Sequence, residues 1–221
     1  NTITSQKEIS QTPKFRLKLY GAISRILLQE NNFNALEKYL EETYKSFIKD
    51  KLFNKTNHEQ KLMMLTYWAN SLYKNGKMKA SLKIAEKLNN AMTEFDSFLK
   101  NKFLFYYYNT LVINYSKLDQ NKALKVLEKA KNNSIIQSLP TFGAFIYLNV
   151  GLIYFDQKQY RLSIKHFSRL ILQKDFLNLS PQFQLKILTS EIIIRYELKQ
   201  LDLVEKKIKK IKSRLKHTKD K

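Results

Sequence analysis

The feature that most limits the fold of this chain is a spaced pattern of large and small residues that returns about every 42 residues. The clearest copy runs from Thr141 to Lys174 and holds Tyr147, Val150, Gly151 and Tyr154, then Tyr160, Ser163 and Phe167. A second places Leu65, Trp68, Ala69 and Leu72 before Gly76, and Met78, Ser81, Leu82 and Ala85 after it. A third has Ala123, Leu127 and Ala130 in phase; a turn one residue shorter brings Leu111 and Tyr115 into register. Two degenerate copies flank these, one with Tyr20, Ile23, Leu27 and Phe33, the other with Ile193, Tyr196 and Asp202. Counted from Tyr20, Leu65, Tyr107, Tyr147 and Thr189, the steps are 45, 42, 40 and 42 residues. A unit of that size makes one helical hairpin, which cannot shield its own apolar face and must stack on its neighbours.

The run Tyr147, Val150, Gly151, Tyr154, Ser163 and Phe167 resembles the tetratricopeptide pattern W-x2-L-G-x2-Y…A-x3-F. Gly151, Tyr154 and Phe167 match outright, whereas Tyr147 stands for the Trp, Val150 for the Leu and Ser163 for the Ala; Asp175 falls where the family has Pro. The resemblance implies an all-α fold, a right-handed α-solenoid of about five antiparallel helix pairs (TPR-like) with a period of about 42 residues. The family's usual period is about 34, so longer helices or longer connections between units are expected to absorb the excess. Residues 1–12 are expected to fray, and residues 13–221 to form one repeat domain. Helices are expected over 15–29, 33–50, 57–74, 77–92, 97–117, 120–133, 141–157, 160–174, 181–199 and 201–217. Pro140 and Pro181 each precede a first helix, where a fixed φ and a missing amide cost nothing. Phe103, Phe105, Tyr106, Tyr107 and Tyr108 cover every face of one helix, which puts most of them in the core.

Forty Lys and Arg against 19 Asp and Glu give a formal net charge of +21. Such an excess favours anionic partners. It also follows from a composition rich in Lys and Asn throughout. The absence of cysteine excludes disulfides, zinc–thiolate sites and a thiol nucleophile. His58, His166 and His217 are far apart, and no metal-ligand pair, glycine-rich phosphate loop or G-x-S-x-G elbow occurs. No enzymatic activity, metal or cofactor is therefore expected. No apolar run reaches the roughly 20 residues that span a bilayer. A start on Asn1 is expected of a processed chain or a segment of a longer protein. Cytoplasmic residence is expected, with an extracytoplasmic or membrane-anchored parent protein as the alternative.

In the family, first helices line a concave groove. Carried over, that geometry assigns Lys18, Arg25, Thr66, Asn70, Tyr73, Lys74, Tyr108, Asn109, Asn149, Leu152 and Phe155 to a partner-binding face. Asn70 and Lys74 resemble part of the family's carboxylate clamp, but Asn114 and Ser116 fall only loosely at the matching places of the next unit, and the full clamp is not expected. In the last helix, Leu201, Val204, Ile208, Ile211 and Leu215 form one apolar stripe. Lys206, Lys207, Lys209, Lys210 and Arg214 lie on the other face, either as solvated charge or as a basic surface. The function expected is a non-catalytic interaction module, part of a sensor or scaffold, that holds a peptide or protein segment bearing acidic groups. The alternative is nucleic-acid binding through Lys, Arg and aromatic side chains. Repeats of similar spacing occur in bacterial regulators, although no helix-turn-helix reader is recognisable here.

Overall fold

The structure, a computed structural model, describes residues 12–219, of which Asp175 and 214–219 are described in backbone only. Among the described residues the regular elements are all helical. The contacts group the described residues into two compact units, divided between Leu118 and Asp119. The expected fraying of 1–12 lies outside the described residues except at Thr12, whose hydroxyl accepts from the Phe15 amide and caps the first helix.

The first unit holds α1 (Pro13–Gln29), α2 (Phe33–Lys49), α3 (His58–Lys74), α4 (Met78–Ala91) and α5 (Lys100–Leu118). Its core is built from Leu36, Leu40, Leu62, Leu65, Leu88 and Phe103, all fully buried. The second unit holds α6 (Gln120–Lys131), the single turn α7 (Ser134–Gln137), α8 (Asn149–Asp156), α9 (Tyr160–Ile171), α10 (Pro181–Glu197) and α11 (Leu201–Lys219). Phe167, Leu170, Phe176, Ile187 and Ile194 form a core there.

Four hairpin turns share one geometry. Asn31, Gly76, Lys158 and Lys199 each have a φ between 53 and 76°. In each case the next residue's amide donates five residues back: Asn32 to Leu27, Lys77 to Leu72, Gln159 to Tyr154 and Gln200 to Arg195. This is the Schellman ending, in which a left-handed residue lets the chain recover the last helical carbonyls. The α5–α6 link differs. It is Asp119 alone, whose carboxylate caps α6 by accepting from the Lys122 amide. The shorter third turn read from the sequence is thus present. Counting back from the shared turns moves the start of the last repeat from Thr189 to Leu188. Leu188 packs against the core, whereas Thr189 is exposed.

Within the hairpins, close approach of helices is set by small residues. The Ser81 hydroxyl donates to the Ala69 carbonyl, and that of Ser163 to Gly151, both at 2.7 Å. A Cβ on Gly151 would lie 2.7 Å from the Phe167 ring, so only glycine fits. The excess length over the usual period sits mostly between hairpins. Those connectors carry short 3-10 segments at Lys55–Asn57, Phe95–Ser97 and Lys174–Asn178, or the turn α7. Leu52, Ile136 and Phe176 anchor three of them in the core.

Two expectations change. The helix expected over 141–157 widens into a π-turn at Ala144–Leu148, where the Asn149 side-chain amide donates to the Phe145 carbonyl at 2.6 Å. Of the five consecutive-face aromatics, Phe103 alone is fully buried; Tyr106 is exposed and Phe105, Tyr107 and Tyr108 are half-buried, because α5 buries one face only within its unit.

Candidate partner-binding face

In the first unit, α3 contacts both α2 and α4, and lies between α1 and α5. Its buried residues include Leu62, Leu65, Trp68, Ala69 and Leu72. The face left over is Gln60, Met63, Tyr67, Asn70 and Lys74, spaced by three and four residues. On α1 the corresponding stripe is Lys18, Gly21, Arg25 and Leu28. Between the two helices lies a cleft of about 230 Å³, lined by Gly21, Arg25, Leu28, Gln60, Met63 and Tyr67. Tyr20 forms its floor, and the Tyr20 hydroxyl is buried with no hydrogen-bond partner among the described residues. Burial, followed by the neighbouring Tyr67 and Tyr39, pushes that hydroxyl far above the usual tyrosine range, so it stays protonated and can donate. At the end of the cleft, Lys102 of α5 meets Glu59 of α3 at 2.7 Å, which leaves Arg25 as the cation without an ion pair at this cleft among the described residues.

The structure sorts the sequence-derived residues. Lys18 and Arg25 are exposed on the α1 stripe, and Asn70 is half-buried on the α3 stripe. Thr66 falls one position off that stripe. It is buried, and its hydroxyl donates to the Leu62 carbonyl, so it offers nothing to a partner. Tyr73 is half-buried, and Lys74 folds back to sit 5.7 Å from the Phe33 ring. Tyr108 and Asn109 are half-buried on α5, with Tyr108 tilted against Tyr107. Gln60, Met63, Tyr67 and Lys102 are the residues the sequence reading missed. The i, i+3, i+4 spacing opposite Leu65 and Leu72 was the signal that could have found the three on α3; nothing in the sequence pairs Lys102 with Glu59.

In the second unit the first helices present a different surface. Leu152 and Phe155 of α8 and Ser190 and Ile193 of α10 line a small apolar cleft of about 70 Å³. Phe155 also packs on Tyr160. Asn149 spends its side-chain amide on the π-turn.

The terminal helix is not a uniform basic face. Lys207 donates to Glu191, a carboxylate only 2 % exposed, at 2.7 Å, and Arg195 reaches the same carboxylate at 2.8 Å. Lys207 therefore fastens α11 to α10 instead of serving a partner. Lys206, Lys209 and Lys210 are exposed, and the Arg214 side chain lies outside the described residues. None of these contacts supports the alternative of a nucleic-acid surface.

No group of three or more His, Asp or Glu side chains gathers among the described residues as a metal site would need. No described helix is long and apolar enough to cross a membrane. His58 is buried at the start of α3, edge-on to Phe95 at 4.9 Å, with Glu94 3.8 Å from its Nδ1. His166 is half-buried and stacked on Tyr154 at 5.7 Å. Burial, more than any charge nearby, holds both imidazoles below the ordinary histidine value.

No protein-family model matches the sequence, and no curated protein sequence matches it significantly. Similar solved structures do exist. One is the MamA RS-1 ArsTM double mutant, 16% identical, with a TM-score of 0.58 over 93% of this chain and 97% of that one. Two more contain the nearly identical TPR-like repeats of a Podosopora anserina kinesin light chain. A point-substituted form of that protein is 13% identical, with a TM-score of 0.65 over 93% of this chain and 97% of that one. The other is 14% identical, with a TM-score of 0.64 over 94% and 98%. At these identities the likeness is one of fold, and the fold of this chain is that of a TPR-like helical repeat.

Proposed function

We propose that the chain is a non-catalytic protein-interaction module whose first-helix face holds an extended peptide segment bearing acidic groups. The reading takes residues 13–221 as one repeat domain. The observation that carries it is the α1–α3 cleft. It combines an unpaired guanidinium at Arg25, apolar walls at Leu28 and Met63, and a buried hydroxyl at Tyr20 with no acceptor. A peptide supplies what each lacks: a carboxylate for Arg25, an aliphatic side chain for the walls and a main-chain carbonyl for Tyr20. Lys18, one turn before Gly21, and Asn70 extend the same face. The architecture shared with TPR-like repeats supports an interaction role by analogy alone.

Short peptides selected from a random display library against the immobilised chain test the reading. Selected sequences should combine acidic and aliphatic residues. Arg25→Glu should weaken them about tenfold, the scale of one charge-assisted hydrogen bond. Binders indifferent to both Arg25→Glu and Met63→Ala would place recognition elsewhere.

A further inference from the structure

The two units differ at one equivalent place, away from the α1–α3 cleft. In the first unit, Trp68 stands one residue before Ala69 and fills the space between α2 and α4. Tyr44, the twelfth residue of α2, packs against its ring at 5.6 Å. Lys87, the tenth residue of α4, covers both rings at 5.8 and 5.6 Å. At the equivalent places of the second unit, Val150 stands one residue before Gly151. Lys131 is the twelfth residue of α6, and Arg169 the tenth of α9. The aromatic filler is gone and its aromatic neighbour has become a cation. A cleft of about 430 Å³ remains there.

We propose that this cleft binds a small aromatic anion, with the ring over Val150 and the anionic group between Lys131 and Arg169. The position is one where the sister hairpin seats a ring, and Leu127, Ile146 and Val150 give it an apolar floor. Arg169 has no ion pair among the described residues. Glu128 is the one carboxylate on the lining. It sits 3.6 Å from Lys131 and accepts from Asn132, so it claims part of the Lys131 charge and leaves Arg169 the stronger anchor. His166 lines the same cleft, and its Nδ1 is buried without a partner. A bound anion that accepts from it would satisfy that atom. The nearby cations Arg169, Lys165 and Lys131 add to burial in keeping the imidazole neutral, and an anion would offset them.

Phenyl phosphate is the probe, titrated into the full chain and followed by calorimetry and by the His166 imidazole resonances. Phenol and inorganic phosphate are the half-ligands. Phenyl phosphate should bind at least about tenfold tighter than either half, because only it uses the floor and the cations together. Arg169→Gln should weaken it about tenfold, and Lys131→Gln by less. Both residues are on the surface side of the cleft, so neither substitution threatens the fold. Val150→Trp, which copies the sister hairpin, should abolish binding while the helical circular dichroism is kept. A phosphotyrosine peptide separates the two sources of such a group. Affinity no better than phenyl phosphate assigns a free small molecule, tighter binding assigns a peptide side chain, and either supports an aromatic anion. Inorganic phosphate matching phenyl phosphate, or Arg169→Gln leaving affinity unchanged, overturns the proposal.

Discussion

The Ser163 hydroxyl donates to the Gly151 carbonyl at 2.7 Å, across the two helices of one hairpin. Ser81 and Ala69 repeat that bond at the same distance in another. The bond holds the two backbones close and is available only where the facing residue is small. Gly151→Ala drives a methyl into the Phe167 ring and should destabilise the chain by about 1–3 kcal/mol. Ser163→Ala loses one buried hydrogen bond, about 1 kcal/mol. Chemical denaturation midpoints at constant slope measure both. A Gly151→Ala midpoint equal to that of the parent chain would refute the close-packing account.

The last helix depends on a buried carboxylate. Glu191→Ala leaves Arg195 and Lys207 without their shared anion, and Lys207 then lines a largely apolar cleft between α10 and α11. The loss should be about 2–3 kcal/mol, below the value for a fully buried triad because Lys207 remains about one-third exposed. Hydrogen exchange should show α11 as the segment most deprotected in the variant. Uniform deprotection of both units would contradict a local role.

Acidification should destabilise the fold below about pH 6.5. His58 and His166 both have folded-state values below the ordinary 6.5, first through burial. The unfolded chain therefore takes up protons first. Stability from these groups is complete above the unfolded value and is lost as pH falls past it. Glu37 adds a second loss at lower pH. Burial raises its carboxyl most strongly, but hydrogen bonds from Lys77 and Asn75 outweigh that and hold it below 4.5, so its contribution fades as pH falls through the carboxylate range. Melting temperatures between about pH 7.5 and about pH 5.5 should fall, and His58→Leu should flatten that slope. An unchanged slope in the variant assigns the effect to other groups.

The hairpin turns make a prediction of opposite sign. Lys158 and Lys199 adopt the left-handed conformation at φ 58 and 60° with a Cβ present. Replacing either with Gly should stabilise by up to about 1 kcal/mol, whereas Gly76→Ala at φ 76° should cost about the same. Thermal melts of the three single variants provide the check.

The architecture was largely legible because hairpins declare themselves locally. Gly151 with Phe167 and Ala69 with Ser81 announce packing that depends on a few residues near in sequence. The binding face was harder to read. Thr66 and Tyr67 are adjacent and both compatible with a groove, yet a helix rotates about 100° between them and only Tyr67 points out. Lys74 and Lys207 looked free because charge in a sequence carries no address. One is drawn to the Phe33 ring and the other to Glu191, from elements that no spacing rule connects to it. The π-turn at Ala144–Leu148 left no periodic trace, since it lies so near the start of its helix that too few residues precede it to set a register.

The connectors between hairpins bring their own anchors, Leu52, Ile136 and Phe176, into the interior. Their length can therefore drift while four of the five hairpin turns keep one geometry, and a ruler fixed at one period would slide past this molecule without registering it. Kinship among such chains is better sought in the rhythm of the left-handed turn residue than in the distance from one repeat to the next.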